Sequence, residues 1–189
     1  MKKTKNLFVI EGFDRAGKDT LMNDLSKLNL NNTYVLKNDL TGLPKYDKEQ
    51  GDFLIWLDRF ISNFINEINE AFKKYDNVIV TRLIISDEVY SNLFNRKHTV
   101  INHINKLNKN VEIYNYCLLF SNYEEYLKRV NKIGANIQYL EYEFNKINDL
   151  YINELKKQKG IICFIYGNDL PSKILTSFLD YYGQIKSIS

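Results

Sequence analysis

The ten residues from Glu11 to Thr20, EGFDRAGKDT, hold two glycines, a lysine, an arginine and two aspartates directly after the apolar run LFVI. Gly12 and Gly17 have the spacing of a loop that turns tightly and aims successive backbone N–H groups at an anion. Lys18 adds an ammonium for terminal phosphates, and a helix starting near Lys18 adds its positive end. The pattern G-x-x-x-x-G-K normally closes on Ser or Thr, whose hydroxyl ligates magnesium. Here Asp19 stands in that place and Thr20 follows one position late. Two readings stand side by side. Either Asp19 or Thr20 holds the ion, directly or through water, or Asp19 is a solvated acid stabilising the helix dipole.

Other charged residues sit where a site could use them. Arg82 directly follows the apolar run NVIVT, at a strand end, where a charge is costly without a purpose or partner. Arg59 lies in LIWLDRF, while Arg129 and Lys132 lie in YEEYLKRVNKIGAN ahead of Gly134. Trp56 and Tyr90 could each stack on a base or serve as core. His98 and His103, on a polar stretch, read as surface residues.

The elements that must position these groups alternate regularly. Strand candidates are 7–11, 33–37, 77–81, 115–120 and 161–166, β-branched and aromatic runs that are apolar on both faces. Between them run helical patterns. The clearest is 53–72, with Phe53, Leu57, Phe60, Ile61, Phe64, Ile65, Ile68 and Phe72 at helical spacing. Others cover 123–130, 139–157 (with Gly160 as its C-cap) and 172–182. The alternation predicts an α/β fold, a doubly wound parallel five-stranded sheet with helices on both faces. Ligands in such sheets bind at the carboxyl ends of the strands.

Size and composition bound the rest. The 189 residues fit one domain, 1–189, and the net charge of +3 argues against a dedicated nucleic-acid binder. Cys117 and Cys163, inside apolar runs, read as buried thiols. The three early lysines imitate a signal peptide, but LFVI is too short for its apolar core, and no other stretch could span a bilayer. A cytoplasmic protein without membrane or nucleic-acid partners is the expectation.

The motif E-G-x-D-R-A-G-K resembles the phosphate loop of thymidylate kinases, P-loop NTPases that phosphorylate a deoxynucleoside monophosphate, including phage-type relatives with GKDT. The segment from Thr81 to Ser91 resembles their D-R-Y-x-x-S-x-x-A-Y-Q, with Arg82, Ser86 and Tyr90 on matching positions and Thr81, Leu83, Val89 and Ser91 departing from it. The resemblance implies a nucleoside monophosphate kinase-like domain with ATP as donor and Mg2+ as cofactor, and dTMP as the leading acceptor, converted to dTDP for dNTP synthesis. Its donor site comprises Gly12, Phe13, Asp14, Arg15, Ala16, Gly17, Lys18, Asp19, Thr20 and the lid residue Arg129. Its acceptor site comprises Asp14 on the sugar 3′-hydroxyl, Arg59 and Arg82 on the phosphate, and Ser86 and Tyr90 beside sugar and base. Arg15, Lys18 and Arg82 would be catalytic, and Asp19 or Thr20 would hold the metal. A homodimer through the apolar helix 53–72 is also implied.

Two alternatives remain. A deoxyribonucleoside kinase shares the fold but needs a carboxylate base after the second strand, where only Asp39 could serve. A nucleotide-binding protein without catalysis is suggested by Thr81, which replaces the family's strand-end aspartate.

Overall fold

The computed structural model describes residues 4–37, 51–107, 109–157, 163–166 and 171–188. Among the described residues, five strands form one parallel sheet: β1 (Lys5–Gly12), β2 (Thr33–Val35), β3 (Asn77–Thr81), β4 (Val111–Leu119) and β5 (Cys163–Tyr166), in the spatial order β2-β3-β1-β4-β5. The sites predicted at Asp39 and Gly160 lie outside the described residues.

Alternation along β1 divides the core in two. Phe8 and Ile10 pack with α1 (Lys18–Lys27), α3 (Ile84–Phe94), α5 (Tyr123–Lys132), α6 (Glu141–Lys157) and α7 (Pro171–Ile188). Leu7 and Val9 face the other way, onto α2 (Gly51–Lys74) and α4 (Val100–Ile104). A strand buried on both faces has no polar face to display, which is why these strands read as continuous apolar runs. The α/β architecture with helices on both sides of a parallel sheet therefore stands as expected.

β4 begins four residues before its apolar run because its length is set by its partner. Lys5 through Gly12 pair in unbroken register with Val111 through Leu118. α3 is poorly announced by periodicity because its inward face is partly polar, with Ser86, Asp87 and Ser91 buried beside Ile85 and Val89. Asp87 explains α4, accepting from the Thr99 and Val100 N–H groups at 2.7 and 2.8 Å and from Arg96 at 3.0 Å.

His103 corrects the surface expectation. It is only 7% exposed and bridges α4 to α2, with Nε2 2.7 Å from Asp58 Oδ1, while Lys106 donates to Nδ1 at 2.9 Å. Cys117 is a buried free thiol. No helix among the described residues is long and apolar enough to cross a membrane.

Candidate active site

β1 runs straight into the loop. Gly12, at φ 125°, still pairs with β4, and a Cβ there would meet the Leu118 carbonyl oxygen at 2.0 Å, so only glycine fits. Phe13 follows, fully buried, with its N–H on the Leu118 carbonyl at 2.9 Å and its ring against Phe120, Tyr126, Tyr139 and Phe144. This aromatic anchor pins one side of the loop while Ala16, also buried, fixes the other. Arg15 turns between them at φ 66°, and Gly17, at φ 99°, caps the start of α1 without a side-chain cap. The first amides of α1 therefore have no internal side-chain acceptor, the arrangement that favours an anion.

Lys18 is 3% exposed and folds back over the loop, donating from Nζ to the carbonyls of Gly12, at 2.8 Å, and Phe13. Burial, and then the Arg82 guanidinium, push its ammonium down to about 7, despite the opposing pull of Asp14. Two basic side chains, Lys18 and Arg82, thus meet at Asp14, with Asp19 acting on Lys18 as well.

Asp14 is the junction of the site. Its Oδ1 accepts from Arg82 Nη2, and its Oδ2 accepts from the hydroxyls of Tyr90 at 2.8 Å and Tyr139 at 2.6 Å. Burial alone would raise its carboxyl. The charges of Arg82 and Lys18, with the Tyr139 and Arg82 hydrogen bonds, overcome that and hold it far below the usual carboxylate range. Arg82 in turn has φ 51° and its N–H on the Ile10 carbonyl at 3.1 Å. Its burial would lower the guanidinium, but Asp14 keeps it above the ordinary arginine range.

Asp14, Arg82 and Tyr90, predicted from separate stretches, are brought together. Ser86 is not on an open face. It is 5% exposed, a buried bridge with its hydroxyl on Glu11 and 3.2 Å from Tyr151 Oη. Arg129 comes to the loop from α5. A Cβ on Gly17 would lie 3.9 Å from Arg129 Nη2, and Arg129 Nε is buried without a hydrogen-bond partner among the described residues. Thr20, Gly17, Leu21, Ile174 and Arg129 line one crevice. Asp19 is exposed in the first turn of α1. Arg59 is exposed on α2. Trp56, nearby, is half-buried and stacks on Phe60.

Two participants were not foreseen. Tyr139 belongs to the segment between α5 and α6 and is itself held there. The Tyr126 hydroxyl accepts from the N–H groups of Gln138 at 3.1 Å and Tyr139 at 3.3 Å, and the Tyr123 hydroxyl donates to the Tyr139 carbonyl at 3.1 Å. Nothing in its sequence context marks it. Glu11 did leave a signal, a carboxylate ending a buried strand, which demands partners for the same reason as Arg82.

Protein-family models and curated proteins give no match to this chain. Solved structures do. The chain is similar to deoxyadenosine kinase from M. mycoides with the products dCMP and a flexible dCDP bound, at 16% identity over 94% of this chain and 99% of that one, TM-score 0.60. It is similar to thymidylate kinase from Ehrlichia chaffeensis at 12% identity, covering 95% and 100% of the two chains, TM-score 0.61. It is also similar to thymidylate kinase from Candida albicans at 15% identity, covering 98% and 94%, TM-score 0.60. The likeness is one of fold, over nearly the whole chain.

Proposed function

We propose that this protein is an ATP-dependent kinase that phosphorylates a deoxynucleoside monophosphate, with dTMP as the leading acceptor. The observation that carries this reading is the convergence of cations on the loop. Lys18 and Arg82 meet at Asp14, and Arg129 leans on the loop from a third element. Phosphoryl transfer asks a protein for alignment and charge neutralisation rather than covalent help. Lys18 would swing from the loop carbonyls to the donor phosphates, with Arg129 beside them. Arg15 would meet the transferring group, and Arg82 and Arg59 the acceptor phosphate. Asp14, already accepting two hydroxyls, would take the acceptor's 3′-hydroxyl in the same way.

Asp19 and Thr20 offer a hard carboxylate and a hydroxyl at the start of α1, a donor set that suits magnesium, which takes one or two protein oxygens and keeps its waters. Bound there, the ion would neutralise phosphate charge. Guanidinium groups aimed at a phosphate favour a monophosphate acceptor over a nucleoside.

Release of ADP from ATP, measured across the deoxynucleoside monophosphates with nucleosides as controls, tests the reading. Turnover of dTMP supports it. Turnover of thymidine alone assigns the protein as a nucleoside kinase, and no turnover of either leaves a nucleotide binder.

A further inference from the structure

Glu11 is the last side chain before the phosphate loop and is wholly buried. Its Oε1 accepts from the N–H groups of Leu83 at 2.9 Å and Ile85 at 3.1 Å. Its Oε2 accepts from the Ser86 N–H at 3.2 Å and the Ser86 hydroxyl. Four donors suit an acceptor-only carboxylate, and the positive end of α3 favours the same charge. Burial pushes the Glu11 carboxyl up, with the Ser86 hydroxyl and the three amides pulling against it.

The residue immediately before this cluster is Arg82, at φ 51°. A non-glycine residue persists in that region only where its surroundings over-determine it. Here β1 holds it from both sides, with the Ile10 carbonyl on the Arg82 N–H and the Glu11 carboxylate on the amides of Leu83, Ile85 and Ser86. The same strand continues at Gly12 into the loop that carries Asp14 and Lys18. We propose that Glu11 is a positioning residue, which couples the direction of the Arg82 guanidinium to the phosphate loop so that the acceptor phosphate meets a preset arginine. Asp87 provides the contrast. It caps α4 in the same fashion, yet none of the site's arginines depends on it.

The inference rests on the kinase reading, and its test separates the two. Glu11→Gln keeps the shape but turns an amide toward donors, so the acceptor KM should rise about tenfold while ATP affinity by direct titration stays at the wild-type value. Ser86→Ala removes only the hydroxyl and should raise the acceptor KM less, and it decides the matter if Glu11→Gln fails to fold. Asp87→Asn should lower the melting temperature and leave the acceptor KM alone. An unchanged acceptor KM in the two site variants, or ATP affinity falling in step with it, overturns the positioning role. Wild-type protein that turns over no deoxynucleoside monophosphate overturns the kinase reading instead.

Discussion

β1 and β3 carry a polar cluster at each end, and the two clusters are built on different logic. At the amino edge, Lys5 pairs with Asp76 at 2.8 Å and with the Tyr75 carbonyl at 2.9 Å, Asp76 also receives Asn32, and Asn6 donates to Asn77 at 3.0 Å. One cation there faces one anion. At the carboxyl edge, Lys18 and Arg82 converge on Asp14, with Asp19 also acting on Lys18. Positive φ occurs at both ends, at Asn32 on one and at Arg15 and Arg82 on the other. Lys5 and Asp76 are about as exposed as Arg82 and Asp14, at 22% and 17% against 28% and 18%, so burial does not separate the two ends. What separates them is how the charges are joined. The amino edge is a one-to-one latch. The carboxyl edge gathers two basic side chains, Lys18 and Arg82, on Asp14 beside the loop amides, an arrangement suited to an anion.

The contrast breaks most completely if Lys18 is removed. Lys18→Met should lower kcat by about a hundredfold or more, because a preorganised donor to the transferring phosphate is lost. A steady-state ADP-release assay measures this, and a drop below threefold would put Lys18 on the latch side of the comparison. Arg82→Lys keeps the charge but not the planar fork that Asp14 and a phosphate would share. It should cost roughly tenfold to a hundredfold in kcat/KM for the acceptor.

A subtler effect follows from the Lys18 ammonium, which sits at about 7 against 10.5 for an ordinary lysine. A bound phosphate would restore the ordinary range. Between those two values the complex therefore holds more protons than the free protein, so nucleotide affinity should fall as pH rises through that window and level off below 7. Calorimetric titration near pH 8.5 in buffers of different ionisation enthalpy should report uptake of about one proton per site, abolished in Lys18→Met. The smallest effect belongs to the latch. Asp76→Asn should lower the melting temperature by about 2–4 °C and leave both KM values unchanged.

Sequence conveyed the fold and the site unequally. The apolar strands and the amphipathic α2 announce themselves because burial on both faces, or on one stripe, leaves a periodic record. The phosphate loop is legible because its glycines are required by a 2.0 Å approach at Gly12 and a φ of 99° at Gly17. Arg82 was legible as a charge at a strand end, and Tyr90 through the resemblance of the segment that holds both. Ser86 was placed by the same resemblance, which gives the helix it occupies, whereas the direction of its hydroxyl is set by Glu11, more than seventy residues earlier. Tyr139 left no trace, since a hydroxyl that crosses 125 residues to reach Asp14 obeys no local pattern. His103 was misread for the same reason, its carboxylate partner lying on another helix.

The most direct test is a crystal structure with a non-hydrolysable ATP analogue, magnesium and dTMP. The account predicts the donor phosphates on the Gly12–Lys18 amides with Lys18 released from the loop carbonyls, and the dTMP phosphate within hydrogen-bonding reach of Arg82. Nucleotide bound elsewhere, with Lys18 still on the Gly12 and Phe13 carbonyls and Arg82 engaged by Asp14 alone, would contradict it.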